Sequence, residues 1–275
     1  MTYKKRKALM AIISFIIISL AFLSFIEKSE AQTEKAATLY VDQYGNQDYT
    51  TIQEAIDNAQ PGDSIYVYIG TYYENIVIDK SISLVGEDKE NTIIDGQEKS
   101  DVIKILSDHV NITGFTIQNA GFYLYNDGID IDSCHNNIAN NIIRRCRCGI
   151  ALELWANNCQ IFQNDIEENS FGVMIYSVNN NNNTIYENNF IRNYHNGYDD
   201  SNGQWSLNER GNYWDDYNGT DNDGDGIGDT PYDISGGNTK DNYPLIETVE
   251  TPGFEIIYLI TAIIIVYIYK KRNYL

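Results

Sequence analysis

Three passes of one pattern fill the stretch from Gly128 to Asn193: GIDIDSCHNNIANNIIRR, GIALELWANNCQIFQNDIEEN and GVMIYSVNNNNNTIYENNFIRN. Each opens on Gly with alternating apolar residues, runs through an Asn-rich corner and enters a second short apolar strand. Ile138, Ile161 and Ile185 set the register, with Ile112 one pass earlier. Five residues after each stand Ile143, Ile166, Phe190 and Ile117, and a Gly follows soon after at 149, 172, 197 and 121. A period of about 23 residues with strand-type alternation is that of a solenoid whose repeats bury their apolar faces only by stacking. The expected fold is therefore all-β, a right-handed single-stranded parallel β-helix.

Stacked coils lie about 4.8 Å apart, so equivalent positions touch. Asn141, Asn164 and Asn188 then form a ladder at a sharp corner, where Asn tolerates left-handed backbone and bonds neighbouring amides. Arg145, Glu168 and Arg192 form a second column, with Arg144 beside Glu167. It is read as cross-coil ion pairing, against a lyase reading in which one Arg is the proton-abstracting base.

Before the repeats, Thr51 and Glu54 make a capping box, and Ile52, Ala55, Ile56 and Ala59 share one helical face. Pro61-Gly62-Asp63 ends the helix and turns the chain into the apolar run Ile65 to Ile69. Such an N-terminal amphipathic capping helix covers the open end of the first coil, which otherwise exposes apolar side chains and unpaired strand edges. The segment TTIQEAIDNAQPGDSIYVYIGTYYENIVIDKSISLVGED resembles the opening of right-handed parallel β-helix proteins of the pectate-lyase-like superfamily. Within it the chain is similar to the NosD-like group, described as periplasmic copper-binding or as carbohydrate-binding and sugar-hydrolysis modules. The resemblance covers about residues 38 to 245 and speaks more to fold than to activity. The Asp-Pro-His run of β-helix epimerases does not occur, nor does a pectin-methylesterase signature beyond the shared opening.

The chain has 275 residues and a formal net charge of −20. Its tails are basic; the stretch between them holds 11 basic against 36 acidic residues. That surface repels nucleic acid and anionic lipid and suits divalent cations or neutral partners. Lys4, Lys5, Arg6 and Lys7 precede an apolar run from Ala8 to Ile26 and a small-x-small site at Ser29-Glu30-Ala31, the layout of a signal peptide over residues 1–31; an uncleaved anchor is the rival, and either exports the chain. Residues 32–75 are read as the N-terminal cap and first strands, 76–197 as the coils, 198–248 as a C-terminal cap, and 249–275 as a membrane anchor or sorting signal. In that last segment Pro252-Gly253-Phe254, the run Ile256 to Tyr269 and Lys270-Lys271-Arg272 resemble archaeal sorting signals that are cut and replaced by lipid. A plain tail anchor is the alternative.

Four groups of residues could carry chemistry. Asp130 and Asp132 alternate with inward Ile and are expected to face outward on one strand. Glu153 follows beside Asp132 on the next coil, and Tyr176 after it. Stacked carboxylates raise one pKa or recruit a cation, and acid–base sugar hydrolysis needs such a pair. With Trp155 and Tyr176 as stacking surfaces, the same group could bind a polysaccharide or cell-envelope glycan. The competing reading is a solvated acidic face.

The soft ligands are Cys134, Cys146, Cys148 and Cys159 with His109, His135 and His195. Cys146 and Cys148 are expected on one face of a strand, and Cys134 and Cys159 near the same corner of successive coils, where a disulfide is the competing reading in an exported protein. Copper is thus a minor expectation, implied chiefly by the family resemblance. The strongest local motif is DNDGDGIGD, residues 221–229. Its alternating carboxylates suit a hard divalent cation that needs several oxygens. The expected Ca2+ ligands are Asp221, Asp223, Asp225, the Ile227 carbonyl and Asp229. Tyr232 stands where an EF-hand places Glu, so the loop resembles thrombospondin-type calcium loops more. Trp214, Tyr213 and Tyr243 are expected to cover the last coil.

Overall fold

The computed structural model describes residues 36–250, apart from Phe122 and Leu124. The expected signal peptide, residues 1–31, and all residues beyond 250, where the membrane anchor or sorting signal is expected, lie outside the described residues. Among the described residues no helix is long and apolar enough to cross a membrane.

Among those residues the strands sort into three seven-stranded parallel sheets and one antiparallel pair, Tyr232–Asp233 with Lys240–Asp241. Each pass of the chain adds one strand to each sheet, giving a parallel β-solenoid of about seven turns. The columns read from the sequence are the columns of the fold. Ile112, Ile138, Ile161 and Ile185 pair in one sheet, and Ile117, Ile143, Ile166 and Phe190 in the second. Ile103, Ile129, Ile150 and Val173 pair in the third. Every one of these side chains is buried in a single continuous core, as a strand with period-two alternation and one covered face requires.

One detail of the repeat differs. Gly128, rather than Gly121, is the residue stacked under Gly149. A Cβ on Gly128 would stand 2.6 Å from the Gly149 carbonyl oxygen, and one on Gly149 2.7 Å from that of Gly172. Backbone approaches backbone too closely for any side chain. The loop between Gly121 and Asp127 is an insertion that displaces this coil's period.

The Asn ladder is longer than three rungs. Asn141, Asn164, Asn188 and Asn212 are all fully buried. The first three each donate a side-chain N–H to the Oδ1 of the next rung, at 3.1, 3.0 and 2.9 Å. The last rung ends on Asp241, whose Oδ2 accepts the Asn212 backbone N–H at 2.7 Å.

The helix Ile52–Asn58 buries Ile52, Ala55 and Ile56, and Thr51 Oγ1 accepts the Glu54 N–H at 3.4 Å. Glu74 from the following coil accepts the Ile52 and Gln53 N–H groups at 2.9 Å each. Lys80 donates to the carbonyls of Ile56 and Asp57 at the other end. A carboxylate at the positive end and an ammonium at the negative end both complement the helix dipole. The Gln53 amide bonds both the N–H and the carbonyl of Val77, in the outermost strand Ile76–Ile78. This satisfies a sheet edge that would otherwise be open to another chain.

At the far end, Trp205 and Trp214 are both about 1 % exposed. Phe190, Trp214 and Tyr232 stack at centroid distances of 4.3 and 4.1 Å. Two buried carboxylates accept the indole N–H groups at 2.9 Å, Asp199 from Trp205 and Asp241 from Trp214. Trp214 thus closes the interior as expected. Trp205 shares the task, and Tyr213 is only half-buried.

Candidate functional site

The third sheet carries the chemistry on its outer face. Along the strands Ile76–Ile78, Ile103–Ile105, Asp127–Ile131, Cys148–Leu152, Phe171–Ile175 and His195–Asp199, the outward column reads Val77, Lys104, Asp130, Ala151, Met174, Tyr198. Just past the strand ends a second column reads Asp132, Glu153, Tyr176, Asp200, tied by backbone bonds to the preceding coil. A third, at the strand starts, reads Asp127, Cys148, Phe171, His195. The early coils thus present charge and the later coils an apolar, aromatic surface. Cys148, Ala151 and Met174 form a small cluster of their own, with Phe171, Tyr176 and Tyr198 packed on it.

Asp130 does point outward, but it is not exposed. Only 5 % of it meets solvent, because Lys104 from the preceding coil lies over it and binds Oδ2. Its other oxygen, Oδ1, is buried and has no hydrogen-bond partner. Asp132 and Glu153 are half-buried beside it. Burial raises the Glu153 pKa, and the negative charges of Asp130 and Asp132 add to it while Lys104 opposes. Asp101 and Asp127 join the group: Asp101 accepts the Asp127 N–H at 2.8 Å. Burial pushes the Asp127 carboxyl up to about 7, although Arg147 stands 3.0 Å away and pulls the other way. Arg147 also donates to the Tyr176 hydroxyl at 3.0 Å. The Tyr176 ring is therefore half-covered and its phenol is held by Arg147. Trp155, by contrast, is 69 % exposed in the turn beyond the strand Cys148–Leu152.

Sequence reasoning missed Asp101, Lys104, Asp127 and Arg147. Lys104 could have been found by carrying the register one coil further back. Asp127 and Arg147 sit where the inserted loop and a corner break the alternation.

The arginine column is an ion-pair network. Arg145 lies 3.3 Å from Glu168, and Arg192 bonds Glu167 and Glu168 at 3.1 and 3.0 Å. Arg144 lies 3.7 Å from Glu167. With its arginines engaged by carboxylates at a left-handed corner, the column has the structural character read from the register.

In the Asp/Gly loop, ligand oxygens of Asp221, Asp223 and Asp225 lie within 4.8 Å of one another. Asp221 accepts the N–H groups of Gly226, Gly224 and Asp225, which holds its pKa below the usual value. Gly224 and Gly226 take left-handed backbone. Asp229 stands outside that trio and accepts from the Asn222 N–H at 2.9 Å. Ile227 bridges to Leu245.

All four cysteines stand as free thiols in this structure, with no disulfide between Cys134 and Cys159. Nor do Cys146 and Cys148 share a face. The chain turns a corner between them, leaving Cys146 in the main core and Cys148 in the outer cluster. Burial pushes the Cys146 thiol up to about 12 and Cys159 to about 11, and holds Cys148 well above its ordinary value.

A family model described as periplasmic copper-binding protein (NosD) matches residues 56–181 and 154–219, more than half of the chain. The chain belongs to the NosD family. No curated protein matches it. Among solved structures, pectin methylesterase from carrot is 16 % identical, with 68 % of this chain and 80 % of that one covered and a TM-score of 0.43. ORF18 of Geobacillus virus E2 is 20 % identical, covering 64 % and 41 %, with a TM-score of 0.44. Pectin methylesterase from Aspergillus niger is 15 % identical over 66 % and 65 %, with a TM-score of 0.39. None reaches a TM-score of 0.5, so none speaks to the chemistry of this NosD-family chain.

The family description names copper, and the soft donors can be tested against it. Three thiols are sealed in apolar surroundings, which disfavours the thiolate that binds metal. Cys134 is the partly exposed one. Its Sγ lies with a ligand atom of His135 and of Asp108 within 4.8 Å of one another. One corner of this NosD-family solenoid therefore offers a donor set that fits such an ion.

Proposed function

We propose that the protein is an exported, surface-anchored module that binds a polysaccharide or cell-envelope glycan along the outer face of its third sheet. The observation that carries this reading is Asp130 Oδ1. A buried carboxylate oxygen without a donor costs about 1–3 kcal/mol or more, and such atoms are rare enough to need a reason. Sugar hydroxyls are donors of the right kind once Lys104 swings off the carboxylate that it covers. Asp132 and Glu153 flank the same spot with further acceptors. Phe171 and Tyr198, both partly exposed, and the exposed Trp155 offer apolar surface for the faces of sugar rings. Export and anchoring rest on the terminal segments, outside the described residues. The Asp221–Asp229 loop is assigned to Ca2+, which would pin an acidic C-terminal cap that otherwise repels itself.

A second reading, cleavage of the bound glycan, is favoured by the raised pKa values of Glu153 and Asp127. A general acid must hold its proton to higher pH than an ordinary carboxyl, which is the direction of both shifts.

The test is a glycan array followed by affinity and turnover measurements on Asp132→Ala and Glu153→Ala. Weakened binding without turnover in the parent protein supports the binding module. Turnover that disappears in Glu153→Ala supports the enzyme. Binding and turnover unchanged in both variants would end both readings.

A further inference from the structure

We propose that Asn111 carries an N-linked glycan, which covers the outer face of the first sheet. The modification rests on the export reading above and is independent of glycan binding by the third sheet. The first sheet stacks the strands Thr38–Val41, Ser64–Val67, Ser83–Gly86, Asn111–Thr113, Asn137–Ala139, Gln160–Phe162 and Thr184–Tyr186. None of their residues is charged. The strands of the other two sheets hold charges on their outer faces, among them Lys104, Arg144 and Asp165. On a chain of net charge −20, a face seven strands long without charge stands apart, and contiguous surface of that kind is what a partner group covers. Aromatic rings mark its two ends. Tyr40, Tyr66 and Tyr68 cluster at one, with centroids 6.0, 6.4 and 5.2 Å apart, and Phe162 stacks on Tyr186 at 5.2 Å and 9° at the other. Between them the same outward column passes through Val85, Thr113 and Ala139. The face is therefore low in the middle, with Tyr66 and Phe162 each two coils from Thr113, about 10 Å away.

Asn111-Ile112-Thr113 lies in that low stretch. It is one of three Asn-x-Thr acceptor triplets in the chain, with Asn182-Asn183-Thr184 and Asn218-Gly219-Thr220. Residues two apart on a strand face the same way, so Asn111 and Thr113 both point outward while Ile112 is buried. Asn111 Oδ1 accepts from Asn137 Nδ2 at 2.8 Å, and Asn111 Nδ2 donates to Ser83 Oγ at 3.2 Å. These bonds fix the amide in its column and occupy one of its two N–H hydrogens. The other has no acceptor among the described residues, and it is the one that a sugar replaces. The remaining triplets are placed less well. Asn182 sits at a left-handed corner, φ 58°, with its amide on Asn158, and Thr184 is only 9 % exposed. The Thr220 hydroxyl is engaged by Asp229 and Asn222 at the acidic loop.

The co-reactant is a glycan carried on a membrane-lipid phosphate, brought to the chain by a transferase. The Asn111 amide nitrogen bonds to the anomeric carbon of that glycan. The bond from this carbon to the phosphate oxygen breaks, and the lipid phosphate leaves with the electron pair. The amide proton passes to a base of the transferase. The product keeps its carbonyl oxygen for Asn137 and one N–H for Ser83, so the column survives the modification. The first sugars then lie over Val85, Thr113 and Ala139, small enough to leave room, with the rings of Tyr66 and Phe162 to stack on at either side.

The test is mass spectrometry of the protein purified from its own cells, on the intact chain and on proteolytic peptides that span each triplet. The expected result is a peptide heavier by whole sugar residues, with the added mass on Asn111. Thr113→Ala leaves Asn111 and its hydrogen bonds in place but breaks the triplet, and it should lose the added mass. Thr113→Ser should keep it, which a merely structural role for Thr113 does not predict. Asn111→Gln serves if Thr113→Ala fails to accumulate. The bare variant should also self-associate, read by light scattering, at concentrations where the glycosylated parent does not. Association equal to the parent's overturns the covering role. An exported chain with Asn111 bare, or with sugar only on Asn182 or Asn218, overturns the modification. A chain found only in the cytoplasm with residues 1–31 intact overturns the export reading, and the modification with it.

Discussion

Lys104 holds Asp130 by one carboxylate oxygen and leaves the other buried without a partner. The pair joins adjacent coils on the outer face, and its two members differ in exposure: the Lys104 side chain is 36 % exposed and that of Asp130 only 7 %. Removing the cation therefore strands a buried charge. Breaking a buried pair typically costs about 3–5 kcal/mol. Lys104→Met should fall near the lower end, since lysine is not fully enclosed. Replacing both residues, as Lys104→Met with Asp130→Leu, should recover most of that loss. Urea unfolding of the two singles and the double measures the coupling. A double variant no more stable than Lys104→Met would show that the pair is not what holds Asp130.

Asp127 makes the stability depend on pH in a definite direction. Burial raises its folded pKa to about 7, against an ordinary carboxyl near 3.8. Between those values the folded chain keeps a proton that the unfolded chain has lost. Stability from this group is therefore full below about pH 4 and declines as pH rises through about 7. Each unit of difference corresponds to about 1.4 kcal/mol, so the effect is on the order of a few kcal/mol. Thermal melts of Asp127→Asn and the parent protein across this window should diverge, with the parent losing more between pH 4 and 7. Parallel curves would refute the assignment.

The buried Asn ladder is a load shared between coils. Asn164 donates to the carbonyls of Ile138 and Phe162 and to Asn188, and its Oδ1 accepts from Asn141. Asn164→Ala leaves several of these groups buried and unpaired, each at about 1–3 kcal/mol. Asn164→Asp keeps the shape but loses the donors. Both should lower the denaturation midpoint substantially, the aspartate more steeply at neutral than at acid pH. Equal stability to the parent in either case would contradict the ladder's role.

What the sequence disclosed about this molecule is what repeats. Columns of Ile and the rungs Asn141, Asn164 and Asn188 recur at one spacing, and parallel stacking converts spacing directly into contact. What it concealed lies where the spacing breaks or where a neighbouring coil intrudes. Asp130 was correctly placed outside, but its burial depends on a lysine one coil away. Cys146 and Cys148 parted because a corner falls between them. No motif or spacing set Asp199 and Asp241 apart from the other carboxylates, yet they are buried acceptors for two indoles. The corner at Cys134 and His135 was visible only as a list of soft ligands until Asp108 was brought beside them by register.

The cap at the other end offers an edge test. Gln53 spends its side-chain amide on the backbone of Val77, the outermost strand of the third sheet. Gln53→Ala removes two hydrogen bonds worth about 0.5–1.5 kcal/mol each and reopens the strand edge to other chains. The expected result is a modestly lower melting temperature together with concentration-dependent association by light scattering. Destabilisation without association would mean that the helix body, through Ile52 and Ile56, already shields the edge.

The acidic loop supplies the last prediction. Asp221, Asp223 and Asp225 crowd their oxygens together with no lysine or arginine among the loop residues 221–229. Like charges at that distance repel unless a cation intervenes. The loop is tied back to the cap, since the Ile246 N–H donates to the Gly226 carbonyl and Ile227 bridges to Leu245. Calcium bound there should therefore raise the melting temperature of the cap, and chelation should lower it. A ligand present at a hundred times its dissociation constant adds about 2.7 kcal/mol. Asp223→Asn with Asp225→Asn should abolish the calcium response while relieving the repulsion, leaving the apo variant at least as stable as the apo parent. Chelation that leaves the parent's melting temperature unmoved would remove calcium from this loop, and a calcium response that persists in the double variant would place the ion elsewhere.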